Sequence, residues 1–167
     1  MQLLCGKLLD LSNEEIKKGI ATFKLTQKRM EIIRLENNIT IINDSYNASF
    51  ESMNSSLKYL SEEVQAKRKI AVLGDMFELG SFSEELHRKV GEAVVKNKID
   101  KLYVIGENSK YIKDEAIKNG MREDDIFYFE NKEQLLEKIQ NTMEEGDAIL
   151  FKASNGMKLF ELVEKLK

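Results

Sequence analysis

Proline and tryptophan are absent from the 167 residues, and cysteine and histidine occur once each. With Cys5 alone, there is no intrachain disulfide framework and no multi-cysteine metal site, and a reducing, cytoplasmic setting is expected. Positive charge is not in excess: 26 Lys and Arg stand against 29 Asp and Glu, a net charge of -3, so nothing electrostatic favours nucleic acid or an anionic membrane as a partner. No apolar run approaches the roughly 20 residues that cross a bilayer. The opening MQLLCGKLLDLSNEE is too interrupted for a signal peptide, and its first basic residue follows the apolar stretch. Also missing are the GxxxxGK[ST] and GxGxxG loops, so the chain carries no obvious device of its own for cradling a triphosphate.

What is present is a soluble globular composition, 42% hydrophobic and 33% charged, long enough for one complete core. Periodicity switches repeatedly between strand and helix. NEEIKKGIATF (13–23) spaces Ile16, Ile20 and Phe23 for a helix behind Ser12 or Asn13 as cap. MEIIRLE and ITIIND predict two strands joined across Asn37 and Asn38, residues that tolerate left-handed backbone. A helix follows over 49–63 with Met53, Leu57, Leu60 and Val64 on one face. KIAVLG (69–74) is nearly continuous apolar strand, the mark of a strand covered on both faces. The alternation continues: helix 83–97 opening on a Ser cap, strand 101–106, helix 109–120 closed by Asn-Gly, strand 125–130, helix 132–143, strand 147–154, and a terminal helix from MKLFELVEKLK. Four successive strand-helix units predict an α/β fold, a three-layer, mostly parallel sheet with Rossmann-like topology and right-handed crossovers.

Ligands of such sheets bind beyond the carboxyl ends of the strands. Four loops lie there: DSYNAS after 39–43, GDMFELGSFS after 69–73, GENS after 102–105 and KASNGM after 148–151. Candidate polar residues in and around them also have plain structural readings. Asp44 and Ser45 suit a helix cap, Tyr46 packing against the next helix, and Arg29 a solvated surface. Asp75 and Glu78 suit the satisfaction of loop amides. Lys152 suits snorkelling to solvent, and His87 helix packing or loop anchoring.

The runs NDSYNASFESMNSSLKYL, KIAVLGDMFELGSFSEELHRKVGE and GDAILFKASNGM, in this order, resemble the C-terminal domain of the Mur ligases. That family shows a DSYNANP-type segment, a GDMxELG segment followed by EELH, and a late KGSR-type segment. The likeness is greatest to the branch that adds D-alanyl-D-alanine to UDP-N-acetylmuramoyl-tripeptide in peptidoglycan precursor synthesis. Residues 1–24 resemble a helical remnant of the preceding central ATPase domain, and KRMEII opens the C-terminal domain, residues 25–167. The resemblance implies ATP-dependent amide formation through an acyl phosphate. ATP, Mg2+, UDP-MurNAc-tripeptide and D-Ala-D-Ala would act on the full-length enzyme, whose P-loop and magnesium ligands lie in the central domain. By this likeness the chain is a third domain only and is expected to be inactive alone.

Residue by residue, the likeness gives Arg29 the ATP phosphates from the hinge, Asp44 the ribose hydroxyls, and Tyr46 and Asn47 places beside the nucleotide. Asp75 and Glu78 would look toward the incoming dipeptide, with Lys152 and Ser154 facing the same cleft. Ser49-Phe50 stands where the family has Asn-Pro, and KASN stands for KGSR. Asn155 cannot replace an arginine bidentately. Two other readings stay open: a stand-alone α/β domain binding a small ligand or partner without catalysis, and a different Mur-type ligase such as folylpolyglutamate synthase or the diamino-acid-adding enzyme.

Overall fold

The computed structural model describes residues 8–22 and 28–167, so Cys5, Phe23 and the expected boundary between residues 24 and 25 lie outside the described residues. Helix α1 (Asn13–Ala21) starts at Ser12 with a reciprocal cap. The Ser12 Oγ accepts from the Glu15 N–H at 3.3 Å, and the Glu15 carboxylate accepts from the Ser12 N–H at 2.9 Å.

Strands β1 (Glu31–Arg34) and β2 (Thr40–Asn43) pair antiparallel, with Arg34 opposite Thr40. The turn between them puts Asn37 and Asn38 at φ 60° and 57°, the left-handed backbone expected of that pair. Helix α2 (Phe50–Glu62) follows, capped by Ser49 through the Ser52 N–H, so neither Asp44 nor Ser45 is the cap. Next come β3 (Arg68–Gly74), α3 (Ser83–Lys96), β4 (Lys101–Ile105), α4 (Ser109–Lys118), β5 (Ile126–Phe129), α5 (Lys132–Thr142), β6 (Asp147–Lys152) and α6 (Phe160–Leu166).

Two expectations shift. Helix α3 grows out of a 3-10 turn at Gly80–Phe82, so Ser83 is its first residue and not a capping side chain. The last helix begins at Phe160 and not at the expected Met157, because Met157 ends a 3-10 turn (Asn155–Met157) and Lys158 takes φ 53° after it. The Asn119-Gly120 close of α4 holds, with Gly120 at φ 100°.

The sheet order is β1-β2-β6-β3-β4-β5, parallel in every pair except β1 with β2. Alternate residues feed two cores. Ile42, Ala71, Leu73, Leu102, Val104 and Leu150 pack under α2, α3 and α4. Ile41, Ile70, Val72, Tyr103, Ile149 and Phe151 pack on the other side with Leu135, Ile139, Leu162 and Val163 of α5 and α6. Burial on both faces is why these strands read as continuous apolar runs. β6, which arrives last, inserts between β2 and β3. The loops after those three strands therefore meet at one carboxyl edge.

Candidate functional site

At that edge β2 ends in Asn43 and Asp44 follows it, both buried. The Asn43 amide donates to Glu31 Oε2 at 3.0 Å and its oxygen accepts from the Ser45 hydroxyl at 2.6 Å. The Asp44 N–H donates to the Phe151 carbonyl at 2.9 Å, tying the loop to β6. Three donors converge on the Asp44 carboxylate: the Met30 N–H on Oδ1 at 3.1 Å, and the Ser56 hydroxyl and Lys152 ammonium on Oδ2 at 2.7 and 2.5 Å. Lys152 also donates to the Asn47 carbonyl at 3.2 Å. It is 2% exposed, so it does not snorkel to solvent.

Outside this buried knot, the loop turns Tyr46 and Asn47 to solvent. The Arg29 guanidinium lies 4.2 Å from the Tyr46 ring centroid, a cation-π contact. The Tyr46 N–H donates to the Lys28 carbonyl at 3.1 Å, and residues 28 and 30 take φ 67° and 49°. Residues 28–30 are thus held to the loop by backbone and carboxylate together. Arg29, Asp44, Tyr46, Asn47, Ser49, Ser52 and Lys152 line a cleft of about 250 Å³. All four residues expected at a nucleotide therefore share one cleft.

The loop after β3 is built differently. The Asp75 carboxylate is buried against the start of α4, accepting from the Ser109 N–H at 2.8 Å, the Ser109 hydroxyl at 2.7 Å and the Asn108 N–H at 3.3 Å. A Cβ on Gly106 would lie 2.4 Å from Asp75 Oδ1, so that GENS glycine permits the close approach. Asp75, expected beside an incoming dipeptide, also braces the domain from within, because the GENS loop supplies two donors to its Oδ1 and one to its Oδ2. Lys152 is likewise turned toward the 44–47 loop and away from the loop after β3. Glu78 does stand exposed, at φ 64°.

Ser154 joins the two loops: its N–H donates to the Asp75 carbonyl at 3.0 Å, and its Oγ accepts from the Phe77 N–H at 2.8 Å. The Phe77 ring covers Gly156, where an added Cβ would come within 2.7 Å of it. Ala153, at the family's glycine position, is buried without left-handed backbone.

His87 anchors the same loop. Its Nε2 accepts from the Met76 N–H at 3.0 Å while Nδ1 donates to the Ser83 carbonyl at 2.7 Å, which fixes the neutral ring's tautomer. Burial lowers its pKa below 6.5, partly opposed by the Ser83 carbonyl and the charge of Asp75.

Ser56 and Asn43, which hold Asp44 and its loop, carry no expectation from the sequence. Their signal was present: Ser49, Ser52 and Ser56 repeat at three and four residues, which puts them on the helix face nearest the loop. Among the described residues no three His, Cys, Asp or Glu side chains gather in a group that could hold a metal ion.

Residues 28–155 match the sequence model of the Mur ligase, glutamate ligase domain. The UDP-N-acetylmuramoyl-tripeptide--D-alanyl-D-alanine ligase of Bacillus subtilis is 36% identical over 98% of this chain and 36% of its own length. The MurF ligase of Thermotoga maritima, solved in complex with ADP, superposes with TM-score 0.75 at 25% identity, over 97% of this chain and 35% of that one. A MurF structure from Acinetobacter baumannii gives TM-score 0.79 at 23% identity, over 98% of this chain and 35% of that one, and so speaks for the fold alone. The chain spans about a third of the length of the relatives it matches. On its sequence match, its sheet and its edge loops, the chain belongs to the Mur ligase C-terminal, glutamate ligase domain family.

Proposed function

We propose that this domain serves a cytoplasmic, ATP-dependent ligase that joins D-Ala-D-Ala to UDP-MurNAc-tripeptide, and that its cleft is one half of the nucleotide site. The observation that carries this reading is the convergence of Arg29, Asp44, Tyr46 and Asn47 on one cleft at the carboxyl edge. Asp44 retains acceptor capacity: a carboxylate oxygen accommodates two donors, and Oδ1 receives only the Met30 N–H. A ribose hydroxyl fills the remaining place. Tyr46 and Asn47 flank the base, and Arg29, swung off the Tyr46 ring, reaches the phosphates with a permanent charge.

The reaction is activation of the tripeptide carboxylate by the γ-phosphate, followed by attack of the dipeptide amine on the acyl phosphate through a tetrahedral intermediate. This chain's contribution is positioning, delivered when the domain closes on the central ATPase domain. Glu78 and Ser154 lie on the acceptor side; Asp75 shapes that loop from within. Magnesium belongs to the phosphate-binding half. Asn155 in place of arginine leaves the dipeptide carboxylate without a guanidinium from this loop.

The test is an ADP titration of the 15N-labelled chain followed by NMR, which detects weak binding that calorimetry misses. Amides of residues 28–30 and 44–52 are expected to shift. Shifts confined to other surfaces, or none at millimolar ADP, would refute the nucleotide reading.

A further inference from the structure

Lys152 is the most deeply buried ammonium on the carboxyl edge, and it faces the nucleotide cleft's floor and not the acceptor loop. One nitrogen serves three oxygens of a single loop: Asp44 Oδ2 at 2.5 Å, the Asn47 carbonyl at 3.2 Å and the Asp44 carbonyl at 3.5 Å. The loop has no glycine or proline to dictate its path. Its carbonyls at residues 44 and 47 turn inward while the Tyr46 and Asn47 side chains turn out. Removing the ammonium would leave an uncompensated carboxylate and take a donor from inward-turned carbonyls, so the loop would have to refold. Two residues on, Ser154 bonds to the other loop, its N–H donating to the Asp75 carbonyl and its hydroxyl accepting from the Phe77 N–H. The end of β6 therefore splits its work between the loops.

We propose that Lys152 is a positioning residue for nucleotide recognition: its ammonium is the template around which the 44–47 loop folds, and it reaches the ligand only through Tyr46, Asn47 and Asp44. This rests on the nucleotide reading above. It departs from the acceptor-facing role that the family likeness suggests for Lys152.

The experiment is the same ADP titration on Lys152→Met and Lys152→Arg, with Ser154→Ala for comparison. Before ADP is added, both Lys152 variants displace the amides of 44–49 and leave 75–80 in place, and Ser154→Ala does the reverse. The ADP dissociation constant then rises about tenfold or more in both Lys152 variants, the loss of one buried charged hydrogen bond. Lys152→Arg keeps the charge and guards against an unfolded Met variant, yet its planar fork cannot aim three donors from one nitrogen. ADP binding unchanged in the variants, or displaced amides at 75–80, overturns the inference alone. No ADP-induced shift in the unaltered chain overturns the nucleotide reading, and this inference with it.

Discussion

At the scale of single residues, the edge is organised by buried polar groups that hold loops, and exposed ones that are free to meet a ligand. Asp75, His87 and Lys152 are of the first kind; Arg29, Tyr46, Asn47 and Glu78 are of the second; Asp44 holds its loop and keeps an acceptor place on Oδ1. His87 makes the first kind measurable. Its ring must stay neutral to accept the Met76 N–H, and burial holds its pKa below the ordinary 6.5. A depressed folded-state pKa means the unfolded chain binds the proton more readily. The stability this ring contributes is therefore fully present above about pH 6.5 and is lost as pH falls through the lower folded value. Glu115 and Glu161, also held low, respond only around and below 4.5, so the window above about pH 5 belongs to His87. Thermal melts should drop between about pH 7 and pH 5.5, and His87→Gln, which keeps a neutral side chain, should flatten that drop. An equal drop in the variant would remove His87 as the cause.

At the scale of elements, the strands and their order of appearance were legible in sequence because burial on both faces leaves long apolar runs. Asn37-Asn38 and Asn119-Gly120 marked their turns by backbone tolerance for positive φ. What sequence did not disclose was contact between distant elements. The pairing of Lys152 with Asp44 spans 108 positions and depends on β6 inserting beside β2, which no local pattern encodes. For Asp75 the sequence suggested loop amides as partners but not which ones, since its donors come from the next strand's loop, up to 34 residues away.

Gly91 is a further case. Inside a helical pattern it reads as a weakness, but a Cβ there would lie 2.5 Å from the Ile112 carbonyl and 3.0 Å from the Ala116 nitrogen, both backbone atoms of α4. The glycine lets α3 and α4 touch. Gly91→Ala should therefore destabilise by about 1 to 3 kcal/mol in urea, overcoming the roughly 0.5 to 1 kcal/mol that alanine gains in a helix. A stabilised variant would mean the helices separate freely.

At the scale of the whole molecule, the domain presents a cleft lined by Arg29, Asp44, Tyr46 and Asn47, proposed above to take a nucleoside, its sequence carries no GxxxxGK[ST] loop, and it covers about a third of each relative it matches. The family was legible from three loop motifs in order. The division of labour within them was not, because Asp44, Asp75 and Lys152 belong to family motifs yet are buried behind the exposed side chains. On this reading the site is completed by a second, phosphate-binding domain. That completion is tested most directly by measuring phosphate release from ATP, first by this chain and then by a polypeptide in which it follows a central ATPase domain. The account predicts no release by the chain alone, and release by the joined polypeptide only with both UDP-MurNAc-tripeptide and D-Ala-D-Ala. Release by the chain alone, or release that D-glutamate supports as well as the dipeptide, would contradict it.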